Sequence, residues 1–277
     1  MKINALFLIA SALSILSCDR KQAQDHHRAV RFYVDPATSS DDPEKRMAYG
    51  LNIVPPWPEG GSVFVNLPEH LEYMPETMGI ARHHDKRANV WQVAADSAGA
   101  DYSVESLTEP GVFFSARARA RDNKALFEVT ITNRSEKILR SIRPLFCFQY
   151  HHLSGFPARL SDNFQHTFIL MKGKPVAVSD LAVEKPDALA RMAQVRDCPD
   201  EHNWWAEEMG GFIPEKIDSA VTVLTASGGS RKVTLRWTPG KNFLSNRYIP
   251  CIHADPCVGD LEPGQSRTVT GALVFTE

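Results

Sequence analysis

The clearest periodic pattern lies in the middle of the chain, where apolar and polar residues alternate from Ala125 to Thr132. In an extended segment, Phe127, Val129 and Ile131 would point to one side and the residues between them to the other. A period of two is typical of a half-buried β-strand. The pattern therefore predicts a strand that packs one face against a core and turns the other towards water.

Short apolar runs separated by tight turns predict two hairpins. One joins residues 167–171 to residues 176–178, and the other joins 220–225 to 232–237. The second turn contains two adjacent glycines, which supply the positive φ angles that tight hairpin turns need. Further strands are predicted over residues 62–66 and 265–275, and residues 138–150 are predicted to form a strand pair with a break at Pro144.

The remaining segments complete the predicted architecture. Residues 30–71 are rich in proline and predict extended coil with short edge strands. One helix is predicted from Pro186 to Val195, because four apolar residues there would share a helical face. Residues 30–277 are therefore predicted to form a single all-β domain, an antiparallel β-sandwich or supersandwich with one short helix.

The beginning of the chain has a different pattern. Lys2 precedes an apolar run from Ala5 to Leu16, which ends in Ser17 and Cys18. This run is too short to cross a bilayer, which takes about 20 residues, but it has the length and order of a signal-peptide core. Its end resembles the lipobox of bacterial lipoproteins, in which the cysteine becomes the lipid-bearing first residue of the mature protein.

The lipobox resemblance implies a cellular location for the protein. Residues 1–17 would be a signal peptide, Cys18 would carry lipid, and residues 18–29 would be a flexible polar tether. The mature protein would then be exported and held on a membrane of the bacterial cell envelope, in the periplasm, as a lipoprotein. The membrane would be its partner through this lipid.

The composition of the chain argues against several classes of function. Hydrophobic residues make up 43% and charged residues 23% of the chain, as in ordinary globular proteins. The formal net charge of −2 argues against a nucleic-acid partner, because such partners attract proteins with a basic surplus. The common motifs of serine hydrolases, nucleotide-binding loops and zinc proteases do not occur. Nothing in the sequence indicates the oligomeric state.

Four cysteines follow Cys18, namely Cys147, Cys198, Cys251 and Cys257. An even number in an oxidising compartment favours disulfides, and four cysteines allow three pairings. Because Cys251 and Cys257 are the nearest in sequence, this pair is the easiest to close. That choice leaves Cys147 to pair with Cys198.

The segment from Pro250 to Cys257 concentrates reactive side chains. In an extended chain, Cys251, His253, Asp255 and Cys257 would share one face. If the thiols are reduced, these four are candidate ligands for zinc or copper, and no cofactor other than such a divalent metal is predicted. If the thiols are oxidised, as favoured here, the segment is a disulfide-closed loop. In either case His253 and Asp255 are candidate catalytic groups for proton transfer.

A second candidate site lies around two adjacent tryptophans. Trp204 and Trp205 stand among amides and carboxylates, a combination that suits stacking and hydrogen bonding with a sugar ring. Glu207 is the carboxylate that could assist the His–Asp pair in catalysis. His151 is a further candidate for ligand binding, although its aromatic surroundings favour a histidine at the edge of the core.

Two longer stretches resemble known proteins. Residues 246–275, with Cys251-Ile-His-Ala-Asp-Pro256 and the Leu-Glu-Pro-Gly-Gln turn after Asp260, resemble the C-terminal part of exported bacterial β-sandwich proteins of unknown function. Residues 128–156 look like the central strands of those proteins. The strand order and the histidines also resemble galactose-mutarotase-like supersandwich proteins, and this resemblance assigns that family's catalytic histidine and glutamate to no residue of this sequence.

Three functional hypotheses follow. The first is a lipid-anchored envelope protein that binds a carbohydrate or another envelope ligand through Trp204, Trp205, His151 and His253. The second is an enzyme that acts on a sugar as an epimerase, lyase or hydrolase. The third is a metal-binding periplasmic protein. A sandwich fold hosts both binding and catalysis, so the fold alone does not choose between them.

Overall fold

The computed structural model describes residues 29–35, 50–74, 79–81, 90–105, 111–158, 160–199 and 211–277. Within these ranges the regular structure is β-sheet, apart from two short 3-10 turns at Asn163–His166 and Val178–Asp180. The predicted all-β class is confirmed. No helix in the described ranges has the length and hydropathy of a membrane span.

The strands are numbered in chain order. The first nine are β1 Arg31–Tyr33, β2 Gly50–Val54, β3 Val63–Met74, β4 Gly79–Ala81, β5 Gln92–Val93, β6 Gly99–Glu105, β7 Val112–Arg121, β8 Lys124–Asn133 and β9 Leu139–Gln149. The others are β10 Thr167–Met171, β11 Lys174–Ala177, β12 Ala190–Gln194, β13 Val221–Thr225, β14 Lys232–Thr238, β15 Gly240–Asn246, β16 Cys251–Pro256, β17 Gly259–Leu261 and β18 Ser266–Thr276.

These strands form two antiparallel sheets. The first sheet has the order β1-β2-β3-β9-β16-β15-β12, with β4 beside β3 and β17 beside β9. The second has the order β11-β10-β13-β14-β18-β8-β7-β6-β5. Apolar side chains from both sheets belong to one buried cluster, so the two sheets pack face to face as a sandwich.

The strands with the strongest alternation occur where the sequence predicts them. In β8, Phe127, Val129 and Ile131 are buried in the core. The predicted hairpins correspond to β10–β11 and β13–β14, which pair in antiparallel register. Period-two patterning therefore locates the second sheet well, because one face of these strands is exposed and the other is buried.

The predicted helix from Pro186 to Val195 is wrong. Ala190–Gln194 forms β12, a fully buried strand that pairs with β15. Ala193 packs into the main core, whereas Met192 packs with Leu244 in a separate apolar cluster. When a short apolar run is buried on both sides, its periodicity does not distinguish a strand from a helix.

β3, at the end of the proline-rich stretch, is longer and more central than the sequence predicts. β3 is long and lies between β2 and β9, so it is an inner strand of the first sheet and not an edge. Its register with β9 shifts between Asn66 and His70, on either side of Pro68. A bulge at this position lets a residue without a backbone N–H occupy an inner strand.

Aromatic rings join the two sheets at the centre of the core. Trp237 of β14 lies 4.7 Å from the ring of Phe146 in β9 and stacks on Phe127 of β8 at 6.0 Å. Opposite this tryptophan, Gly271 of β18 leaves no room for a side chain, because a Cβ atom would come within 2.6 Å of the indole. Gly271 is therefore required by packing.

Gly271→Ala should lower the free energy of unfolding by about 1–3 kcal/mol, because the added methyl group overpacks the core against Trp237. Gly228→Ala is the matched control, since a Cβ atom there meets no heavy atom within 4 Å. Urea unfolding of both variants measures the difference. Equal stabilities for the two variants would contradict the described packing of β14 against β18.

Candidate functional site

The first sheet has two faces of different character. On β9, Phe146 and Phe148 enter the core between the sheets. Side chains alternate along a strand, so Cys147 and Gln149 point to the opposite side. We call this side of the first sheet, which points away from the core, the polar face.

The same alternation operates on β16. Ile252 enters the core, so Cys251 and His253 lie on the polar face. Cys251 is paired in register with Gln149, which brings the polar faces of β16 and β9 side by side. Cys147, Cys251 and His253 are nevertheless all buried, each with 3% of its surface exposed.

These three residues form a compact cluster, which we call the thiol–imidazole cluster. One ligand atom from each residue lies within 4.8 Å of the others. Nε2 of His253 is 3.6 Å from Sγ of Cys251. Two side-chain amides complete the surroundings: Asn246 donates a hydrogen bond to Sγ of Cys251 at 3.1 Å, and Gln149 donates to Sγ of Cys147 at 3.7 Å.

The cluster changes the acidity of its members. A hydrogen bond from Cys147 holds the pKa of Cys251 well below its ordinary value, and His253 and Asn246 add to this effect. The same hydrogen bond, together with burial, raises the pKa of Cys147 well above its ordinary value. Burial alone would lower the pKa of His253, but hydrogen bonding to Cys251 and its charge raise it to about 9. The arrangement therefore favours a Cys251 thiolate beside a His253 imidazolium.

Asp255 lies on the predicted face but has other hydrogen-bond partners than the histidine that the sequence suggests. Its Oδ1 accepts a hydrogen bond from the backbone N–H of Phe146 at 3.1 Å, and its Oδ2 accepts one from Asn242 at 2.7 Å. Nδ1 of His253 has no hydrogen-bond partner in the described part of the chain, so Asp255 does not orient that ring. The buried carboxylate ties β16 to both neighbouring strands.

The predicted disulfides are wrong. The structure joins Cys198 to Cys257, whose Cα atoms are 6.0 Å apart, and leaves Cys147 and Cys251 as free thiols. The predicted bridge between Cys251 and Cys257 fails because β16 is extended between them. Six residues of strand separate two Cα atoms by about 20 Å, whereas a disulfide needs less than about 7 Å.

Because β16 is extended, the four predicted metal ligands do not converge on one point. Cys251 and His253 come together, but Cys257 belongs to the disulfide and Asp255 bonds to the backbone and to Asn242. The sequence reasoning missed Cys147 as the third member. Its alternation with two phenylalanines indicates a strand, but the pairing of that strand with β16 is a long-range contact that no local pattern records.

Several predicted residues cannot be placed. Trp204, Trp205 and Glu207 lie outside the described residues, as does Cys18 with the signal-like segment. Their roles in ligand binding, catalysis and lipidation stay predictions.

A cleft of about 620 Å³ opens beside the thiol–imidazole cluster. Its wall includes a row of side chains from four adjacent strands, in which Tyr33 pairs with Asn52, Asn52 with Phe64, and Phe64 with Gln149. Gln149 also donates to Cys147, so the cleft and the cluster share this residue. We call these four residues the cross-strand row.

Two adjacent histidines border the same cleft. His151 and His152 follow the end of β9 in a turn, and their rings are 3.9 Å apart. Both side chains are exposed, so the expectation that His151 lies at the edge of the core is wrong. The chain turns after Tyr150, where the backbone of Leu153 hydrogen-bonds back to it, and this turn carries the histidines out of the sheet.

Some buried polar atoms of the polar face have no hydrogen-bond partner within the described ranges. They include Oδ1 of Asn66, Nε of Arg143, Oδ1 of Asn242 and Nδ1 of His253, whereas Nη1 of Arg143 forms a buried ion pair with Glu72 at 3.9 Å. Buried polar groups in proteins are normally hydrogen-bonded, so each exception calls for an explanation. None of these four residues lines the cleft.

No known protein-family profile and no curated protein match the chain. Similar solved structures include a galactose mutarotase related enzyme from Lactobacillus acidophilus, with 13% identity and a TM-score of 0.44, over 83% of this chain and 91% of that one. A galactose mutarotase-like protein from Lactobacillus casei has 11% identity and a TM-score of 0.41, over 77% and 85%. A polysaccharide lyase has 10% identity and a TM-score of 0.43, over 89% of this chain and 32% of that one.

The neighbours include mutarotase-like proteins, the family that the second resemblance in the sequence names. At these identities and TM-scores the likeness carries no argument about the activity of this chain. The resemblance to exported β-sandwich proteins stays a prediction.

Cys198→Ser should lower the free energy of unfolding by about 4 kcal/mol, because the bridge to Cys257 closes a loop with a sequence separation of 59. Urea unfolding of the oxidised proteins measures this change. A reducing agent should bring the wild-type protein down to the stability of the variant and leave the variant itself unchanged. A reductant that destabilises both proteins equally would contradict the assignment.

Proposed function

We propose that the protein binds a carbohydrate in the cleft of the polar face. The observation that carries this proposal is the cross-strand row, which places the rings of Tyr33 and Phe64 beside the amides of Asn52 and Gln149. Aromatic rings stack on the C–H faces of a sugar, and amides hydrogen-bond its hydroxyl groups. The cleft volume of about 620 Å³ is within the range of small-ligand sites.

The row is held in place by its own hydrogen bonds. The hydroxyl of Tyr33 lies 3.3 Å from Oγ of Ser62, which donates to Oδ1 of Asn52 at 3.2 Å. Because the side-chain oxygen of Asn52 accepts this hydrogen bond, its NH₂ group takes no part in the bond and can donate to another partner. A wall ordered before the ligand arrives reduces the entropy lost on binding.

The alternative of catalysis on a sugar has less support in the described residues. His253 is buried, and both oxygens of Asp255 accept hydrogen bonds from the protein. A catalytic pair must reach the reacting bond of the substrate. The candidate Glu207 lies outside the described residues. The described geometry favours binding over turnover.

The proposal includes the location in the cell envelope that the sequence predicts. A lipid on Cys18 and a polar tether over residues 18–29 would hold the β-sandwich close to a membrane surface. The first described residue, at position 29, is the last residue of this predicted tether. A carbohydrate of the envelope is a ligand that such an anchored protein would meet.

Tyr33→Ala should weaken carbohydrate binding about fivefold, because the lost stacking contact contributes about 1 kcal/mol. The ligand is first found on a glycan array, and affinities are then measured by calorimetry. Tyr248→Ala is the matched control, since both tyrosines are 42% exposed and Tyr248 does not line the cleft.

The two variants should have nearly equal melting temperatures, because both side chains are largely at the surface. If both bind the glycan as the wild-type protein does, the cleft is not the binding site. If the wild-type protein binds no glycan and instead interconverts the anomers of an aldose, the enzyme alternative replaces the proposal.

Cys18→Ser should release the protein from the membrane fraction or block its maturation, because the thioether to the lipid can no longer form. Fractionation and mass spectrometry of the N-terminus measure both effects. A correctly processed Cys18→Ser protein that stays on the membrane would show that the lipid prediction is wrong.

A further inference from the structure

The thiol–imidazole cluster has no role in the carbohydrate proposal, apart from its contact with Gln149. Two thiols and an imidazole meet in a buried position, on two adjacent strands. Thiolate and imidazole are the ligands that soft and borderline metal ions prefer in proteins. We infer that Cys147, Cys251 and His253 bind a single zinc ion.

The spacing of the ligand atoms fits this ion. With Zn–S near 2.3 Å and Zn–N near 2.05 Å, a tetrahedral ion holds a sulfur and a nitrogen about 3.6 Å apart. Nε2 of His253 and Sγ of Cys251 are 3.6 Å apart. Cys147 supplies the third ligand atom within 4.8 Å of both. The three groups could therefore coordinate one ion with little movement of the strands.

The surrounding amides support the same inference. Asn246 and Gln149 each direct an N–H group at one of the two sulfurs, at 3.1 Å and 3.7 Å. Outer donors of this kind orient the ligands of protein metal sites and stabilise their negative charge. Each sulfur of the cluster has one such donor, and the two donors come from different strands, β15 and β9.

The charge of the three ligands favours a divalent ion over Cu⁺. Two thiolates and a neutral imidazole carry a charge of about −2 together, which Zn²⁺ cancels and Cu⁺ does not. Burial makes an uncompensated charge costly, so the neutral complex is favoured. The cluster also lies near the carboxylates of Asp255 and Glu69, which disfavour any further negative charge there.

A disulfide between Cys147 and Cys251 is the competing use of these thiols. Such a bond would remove the sulfur partner of Nε2 of His253. It would also leave the side-chain amides of Asn246 and Gln149 donating to disulfide sulfurs, which are weak acceptors. The structure closes a disulfide elsewhere, at Cys198–Cys257, and keeps these two thiols apart.

The described residues supply three ligands, because the cluster of histidine, cysteine and carboxylate groups in these ranges has three members. Zinc sites with three protein ligands keep the fourth position for water or another small ligand, whereas structural zinc sites usually have four protein ligands. Because the three ligands are buried here, water is the fourth ligand that fits this site.

The test is metal binding to the purified mature protein with Zn²⁺ alone, followed by Co²⁺ as a spectroscopic substitute. We expect one Zn²⁺ per chain, a higher melting temperature with zinc, and sulfur-to-cobalt charge-transfer absorption. Cys147→Ser, Cys251→Ser and His253→Gln should each lose stoichiometric binding. Asn246→Ala should weaken zinc binding roughly 10–100-fold, because it removes an outer donor.

His166→Gln is the control, since this half-buried histidine lies in the 3-10 turn at Asn163–His166, outside the cluster. It should bind zinc as the wild-type protein does. The cobalt spectrum of the wild-type protein provides evidence even if a cluster variant fails to fold. Absence of zinc binding by the wild-type protein with reduced thiols would overturn the inference, and so would full binding by the three cluster variants. Uptake of Cu⁺ without Zn²⁺ would overturn the choice of ion.

Discussion

The burial of β16 on both faces is the constraint on which the site depends. All six residues of this strand are buried between β9 and β15. Ile252 and Ala254 enter the core, whereas Cys251 and His253 lie on the polar face. A slip of one residue would exchange these two sets, so the register is fixed by the core. The hydrogen bonds of Asp255 to both neighbouring strands reinforce it.

This constraint also determines the chemistry of the cysteines. Because β16 is extended, Cys257 emerges at the far end of the strand and meets Cys198, while Cys251 stays beside Cys147. The thiol–imidazole cluster is thus built on inner strands of a sheet, where side chains are held more rigidly than in loops. Gln149 extends the same face into the cleft, so cluster and cleft share one scaffold.

The sequence predicts the parts of this structure that follow from local alternation. β8 and the hairpins β10–β11 and β13–β14 each have one buried face, and their period of two is visible. β12 is buried on both sides and lacks that signal. The sequence predicts part of the cluster, because Cys251 and His253 share one face of a single strand. Cys147 joins them only through the pairing of β9 with β16. Such a long-range contact depends on the whole sheet and not on any local segment.

The central claim is that Cys147 and Cys251 are free thiols on one face while Cys198 and Cys257 are joined. The most direct test is to unfold the purified protein without reductant, alkylate it and map its peptides by mass spectrometry. The account predicts alkyl groups on Cys147 and Cys251 and one cross-link between the peptides of Cys198 and Cys257. A cross-link between Cys251 and either Cys257 or Cys147, with no alkylation of Cys251, would contradict it.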